Sequence, residues 1–289
     1  MKPDYGRGQH TIEAFPWEAT ALVAKLRDTF RSPDYRAPVL PSVALELMAL
    51  ARRADLQIRD ILQLLEQDQL IAGGVLKLAQ APLYQRGGQV RSLSEAVTRL
   101  GLRTLADLCW NVAMNARVFR APGYDAAMDE LRRHSAATAQ LARLIGAFVT
   151  FPDDYTYTCG LMHDAGAAAC LTLLGDVPRG AERPPLDLVW DSVMDVHEEA
   201  SNILARAWQL PSDVQLIVGN HHQPRIGGKV HPVIAAIALA EALAHELGRV
   251  GGMEHQRLDS TRAAADLGLS NADLDRLCRS AESLLAEIE

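Results

Sequence analysis

Apolar positions recur along this chain with the period of an α-helix almost throughout. Leu22, Leu26 and Phe30 stand at i, i+4 and i+8, and after Pro38 and Pro41 the pattern resumes with Val43, Leu47, Leu50 and Ala51. Ser92-Leu93-Ser94-Glu95 reads as a capping box, the serine facing the first free N–H groups and the glutamate reaching back, with Gly101 placed to end the helix that follows. Strict alternation of apolar and polar residues, the mark of a half-buried strand, is almost absent. The pattern therefore predicts an all-α protein.

Two stretches punctuate the helices. Ala121-Pro122-Gly123-Tyr124 is a turn signal and is taken as a subdomain boundary, and Asp176 to Pro185, with Pro178, Gly180, Pro184 and Pro185, predicts a surface loop over or beside the functional site. The resulting division is an N-terminal helical extension over residues 1–37, an N-terminal helical subdomain over 38–122, and a helical bundle over 123–289. The stripe of Phe15, Trp17, Leu22, Leu26 and Phe30 is expected to pack on its own protein, which is the commoner fate of such stripes. Near the other end Ser270 is the expected N-cap of a helix carrying Leu274, Leu277 and Leu284.

Composition narrows the class. With 289 residues and 48% hydrophobic content the chain can bury a substantial core, and a formal net charge of −7 argues against a dedicated nucleic-acid surface. Cys109, Cys159, Cys170 and Cys278 form no C-x-x-C pair and lie in apolar helical segments, as reduced structural thiols do. The opening residues contain no apolar run of the signal-peptide kind, and no window reaches about 18 apolar residues. The expectation is a cytoplasmic protein with no membrane partner.

The chemistry is carried by histidine. His134 shares a helical stripe with Leu131, Thr138 and Leu141, and His197 shares one with Val193, Ala200, Leu204 and Trp208, so both point inward. His163-Asp164 lies among small residues, Gly160, Gly166, Ala167 and Ala168, which are expected to keep space open for an ion. His221 and His222 follow Val214, Ile217 and Val218 at a helix end before Pro224, where adjacent imidazoles can turn to a common cavity. Five imidazoles and a carboxylate suit Fe, Mn, Zn or Ni better than an all-oxygen Ca or Mg cage. The same residues without an ion would form a hydrogen-bonded polar core, the ordinary fate of a single buried histidine. His231, His245 and His255 are left outside the site.

The motif order resembles the HDOD family, signalling relatives of the HD metal-dependent phosphohydrolases and of the HD-GYP cyclic-dinucleotide phosphodiesterases. The resemblance runs over about residues 38–289: Leu40-Pro41, Leu65-Glu66-Gln67-Asp68, Ala96 through Leu100-Gly101, Arg133-His134-Ser135, Gly160 through Gly166, His197 ahead of Trp208-Gln209-Leu210-Pro211, and His221-His222-Gln223-Pro224. It implies an HD-like helical bundle in the C-terminal part and a bacterial signal-transduction setting. In HD phosphohydrolases a late aspartate completes the ligand set, and the counterpart here is Glu241, whose alternative is an exposed helix carboxylate. Gln69 and Gln80-Ala81 depart from the pattern in the N-terminal half. HD-GYP enzymes carry a lysine soon after the HD pair and a Gly-Tyr-Pro loop after the double histidine. Here Ala167-Ala168 and Arg225-Ile226-Gly227-Gly228 stand in those places, which disfavours cyclic dinucleotide hydrolysis.

Two functions follow as expectations. One is a non-catalytic regulatory module acting on a signalling protein in trans, its HD pocket either vestigial or holding a ligand or metal. The other is a metal-dependent phosphohydrolase of a nucleotide or other phosphoester. In that reading His134, His163, Asp164 and Glu241 hold one ion, His197, His221 and His222 a second, and Arg132 or Arg133 meets the substrate phosphate.

Overall fold

The structure is a computed structural model. It describes residues 19–38, 46, 50, 57–66, 69–81, 84, 90, 92–113, 120–149, 156–178, 180–249, 251 and 259–286, with backbone alone at 69–71, 102, 103 and 106–113. The expectations placed on Phe15, Trp17, Leu40-Pro41, Val43, Leu47, Ala51, Gln67-Asp68, His255 and the Cys109 side chain lie outside these residues.

The described chain is all-α. In order the helices are α1 (Ala19–Arg31), α2 (Ile58–Leu65), α3 (Gln69–Ala79), α4 (Leu93–Ala113), α5 (Asp125–Phe148), α6 (Thr156–Met162), α7 (Ala165–Gly175), α8 (Leu186–Met194), α9 (His197–Ala207), α10 (Ser212–Val218), α11 (Pro232–Glu246), α12 (Ser260–Asp266) and α13 (Asn271–Ala286). A two-residue antiparallel hairpin, β1 (Arg225–Ile226) and β2 (Lys229–Val230), stands between α10 and α11. Its turn is Gly227-Gly228, both at positive φ, the backbone that a tight hairpin requires and that glycine adopts without strain.

The buried apolar residues form two clusters. The smaller joins α2, α3 and α4 through Ile61, Leu64, Leu65, Val75, Val97, Leu100 and Leu105. The larger runs from α5 to α13 and includes Leu22, Leu26 and Phe30, so the α1 stripe packs on its own chain, against α8 and α9. Two ion pairs flank that contact, Arg27 and Arg31 both reaching Glu199 on α9. Serine caps sit where the sequence puts them. The Ser92 hydroxyl accepts from the Glu95 N–H, and Ser270 and Asp273 cap each other reciprocally. Gly101, at φ 74° and ψ 159°, interrupts the helix, yet the chain re-enters helix directly and α4 continues to Ala113.

Two helices set the position of the site. In α11 every residue from Val233 to Ala244 is buried, the pattern of a helix surrounded on all sides by protein. It packs on α5 and α12. α7 begins Ala165-Gly166-Ala167-Ala168-Ala169-Cys170, all buried, and lies against α9. The approach is close: a Cβ on Gly166 would sit 2.0 Å from the His197 carbonyl oxygen and 2.5 Å from the Ser201 nitrogen, and one on Gly160 would sit 2.8 Å from the Ala139 Cα. These glycines are needed for helices to touch, not to leave space for an ion. Among the described residues no helix is long and apolar enough to cross a membrane.

The loop from Asp176 to Pro185 lies at the surface, as expected, but not over or beside the site. It follows the far end of α7, and an 11-residue helix spans roughly 16 Å, so the loop is a helix length away from His163-Asp164. There it packs on the start of α5: Tyr124 donates its hydroxyl to the Pro184 carbonyl at 2.6 Å, and Arg183 donates to the Gly175 carbonyl at 3.2 Å.

Candidate metal centre

Four histidines are aimed by one device. His163, His197 and His221 each follow a helical turn, and each ring places Nδ1 on the backbone carbonyl three residues earlier: Gly160 at 2.7 Å, Met194 at 2.5 Å and Val218 at 2.9 Å. His134 does the same with the distant Arg249 carbonyl at 2.7 Å, while Gly251 packs against its ring. A carbonyl only accepts, so each Nδ1 carries a proton and, in a neutral ring, each Nε2 presents a lone pair.

Those four Nε2 atoms converge on Asp164. Its Oδ2 lies 3.3 Å from His163 and 3.7 Å from His134, and its Oδ1 lies 3.5 Å from His221 and 3.6 Å from His197. Within each pair the nitrogens face each other, His134 to His163 at 3.2 Å and His197 to His221 at 3.1 Å. The two oxygens of one carboxylate thus address two separate imidazole pairs.

Glu241 and His222 complete the set. The His222 Nε2 stands 3.1 Å from Glu241 Oε1, and the His222 backbone N–H donates to Glu198 Oε1 at 2.9 Å. Glu241 is 3% exposed, which excludes the exposed-carboxylate alternative. Every one of the seven sequence-predicted residues is therefore in this cluster. All but His222 are buried, and its side chain is 22% exposed.

Sequence reasoning missed His245. It lies one turn after Glu241 on α11, and its ring meets His134 edge-on with centroids 5.3 Å apart. The signal was the i, i+4 spacing from Glu241 on one helix face. It also missed Ser201, one turn after His197, whose hydroxyl donates to the His163 carbonyl and accepts from the Gly166 N–H. Arg132 pairs with Asp129 on its own helix, and Arg133 is exposed.

The electrostatics follow from burial against charge. Burial drives the His134 and His197 imidazoles down to about 4, outweighing Asp164. For His163 the balance reverses: burial opposes the charged ring, but Asp164 overcomes it and the pKa rises. Burial likewise opposes the Asp164 and Glu241 carboxylates, yet His163 holds the first and His222 the second well below the usual range. His222 is pushed up to about 9, Glu241 prevailing over burial.

The residues fit a metal on two observations. Two nitrogens bound to one ion, each at about 2.1 Å, lie roughly 3 to 3.4 Å apart at ordinary angles, the separation of both imidazole pairs. Asp164 Oδ1 and Glu241 Oε2 are buried with no hydrogen-bond donor among the described residues, an arrangement that costs about 1–3 kcal/mol per atom unless something else meets them. His134, His163 and Asp164 place their ligand atoms within 4.8 Å of one another, as do His197, His221 and His222.

Known proteins agree with the fold. An uncharacterized protein of Treponema pallidum is 30% identical over 235 residues, 77% of this chain and 44% of that protein, so the chain spans less than half the length of that relative. A solved HDOD domain protein of unknown function from Geobacter sulfurreducens superposes with a TM-score of 0.67 at 22% identity, covering 94% of this chain and 99% of its own. A candidate metal-dependent phosphohydrolase from Shewanella amazonensis gives 0.66 at 24%, covering 92% and 99%. A candidate signal transduction protein from Marinobacter aquaeolei gives 0.64 at 21%, covering 94% and 66%. The HDOD domain model matches residues 37–224, well over half of the sequence, and the chain belongs to the HDOD family.

Proposed function

We propose that this protein is a regulatory HDOD module that acts on a signalling protein in trans and whose HD centre is built to hold divalent transition metal. The observation that carries this reading is the convergence of four tautomer-fixed Nε2 atoms on Asp164. Facing lone pairs at 3.1–3.2 Å repel unless a proton or a metal lies between them. His134, His163, Asp164 Oδ2 and Glu241 would hold one ion, and His197, His221, His222 and Asp164 Oδ1 a second. The nitrogen-rich donors suit Fe, Mn, Zn or Ni. An ion bound there would supply Lewis acidity and lower the pKa of a bound water.

The same donors serve a phosphohydrolase, and the completeness of the set favours that as the second reading. Against it stand the burial of six of the seven donors and the position of Arg132, turned to Asp129. A substrate phosphate at this centre would also lie near the carboxylates of Asp164, Glu198 and Glu241. Alanines also replace the lysine that follows the HD pair in HD-GYP enzymes.

The experiment is phosphoester turnover by protein loaded in turn with Mn, Fe, Zn and Ni, beside a His163→Ala, Asp164→Ala double variant. Substrates are bis(p-nitrophenyl) phosphate and cyclic dinucleotides. The regulatory reading expects metal to raise the melting temperature of the native protein alone, with turnover equal to that of the variant. Turnover that the double variant abolishes would replace it with the phosphohydrolase reading.

A further inference from the structure

We propose that His245 is an outer ligand of the same centre, which swings onto the ion held by His134 and closes the coordination position that a hydrolase keeps for water. The inference rests on the metal-holding reading above and adds the reason such a centre would be inert.

The geometry comes from α11. Glu241 and His245 are four residues apart and so share one face of the helix, with Glu241 buried and His245 half-buried one turn nearer its end. That face meets α5 at His134. The ligand atoms of His134, Glu241 and His245 all lie within 4.8 Å of one another. Two donors on one ion lie about 3 to 4.2 Å apart, depending on the angle between them, so His134, Glu241 and His245 are spaced to share an ion once the His245 side chain turns toward it.

The neighbours leave it that role. His134 has committed Nδ1 to Arg249 and directs Nε2 toward His163 and Asp164. Glu241 has committed Oε1 to His222, and its Oε2 is buried with no donor among the described residues. What His245 touches there is the His134 ring, edge to face at 87°.

The test is the number of waters on bound Mn, read from water-proton relaxation, together with the visible spectrum of the Co-loaded protein. The proposal expects His245→Ala and His245→Gln to keep the native metal stoichiometry with affinity weakened about tenfold. Relaxivity should rise by about one water per molecule, and inorganic phosphate should alter the Co spectrum of the variants but not of the native protein. Unchanged relaxivity and an unchanged Co spectrum, with metal retained, would overturn the role of His245 and leave the metal-holding reading standing. Native protein that takes up no Mn or Co would overturn both.

Discussion

Ser201 fixes the turn that carries His163: its hydroxyl donates to the His163 carbonyl at 2.7 Å and accepts from the Gly166 N–H at 2.9 Å. The side chain is buried, so Ser201→Ala strands a carbonyl and an N–H away from water. The expected cost is about 1–3 kcal/mol in denaturant unfolding. Metal affinity should fall about 10- to 100-fold, as when a residue supporting a ligand is lost. Calorimetric titration with Zn checks the second figure.

Gly166 has no room to grow. A Cβ there would lie 2.0 Å from the His197 carbonyl oxygen, and backbone cannot yield as a flexible side-chain end can. Gly166→Ala should therefore force α7 and α9 apart, costing about 3 kcal/mol or more. Gly180→Ala makes a contrasting control, because open space surrounds Gly180 and only its positive φ opposes the change. Denaturation midpoints of the two variants should differ in that order.

In metal-free protein, stability should peak near pH 6.5. His134 and His197 have folded values near 4, below the ordinary 6.5. The unfolded chain therefore takes up protons that the folded one refuses, and their contribution is complete above 6.5 and lost as pH falls toward 4. His222 runs the other way: held near 9 beside Glu241, it stabilises fully below 6.5 and loses that effect as pH rises through 9. Melting temperature against pH in EDTA should give a dome, and His222→Gln should flatten its alkaline limb.

α1 should be held by its apolar face. Leu26 is fully buried between α1 and the helices beneath, and Leu26→Ala is expected to cost about 2–5 kcal/mol. Arg31 is exposed on the same helix, and its pair with Glu199 is a solvent-screened contact of the kind that contributes little. Arg31→Ala should leave the unfolding midpoint close to native.

What the sequence disclosed is what local periodicity encodes. Leu22, Leu26 and Phe30, the inward stripe of His134 and the Ser270 cap are each set by spacing within one helix, and the structure has them; the stripe through His197 instead crosses a helix break, Val193 lying in α8 and His197 opening α9, although all its members are buried. The motif order carried the family and, with it, the late carboxylate at Glu241. The missing parts depend on how distant elements meet. The Arg249 carbonyl reaches His134 across 115 positions and leaves no mark in either segment. Gly160 and Gly166 looked like space for an ion because a glycine reads alike whether it faces a cavity or another helix. His245 matches no motif, yet a carboxylate and an imidazole one turn apart on a strongly apolar helix are a legible pair.

Elemental analysis by mass spectrometry decides whether this cluster is a metal site or a hydrogen-bonded polar core. The samples are native protein and the His163→Ala, Asp164→Ala double variant, purified alike and analysed as isolated and after incubation with Fe, Mn, Zn and Ni. The native protein should carry near-stoichiometric transition metal and the variant none, because the variant loses the carboxylate on which both imidazole pairs converge. Native protein that stays free of metal after all four incubations would contradict the metal-site reading.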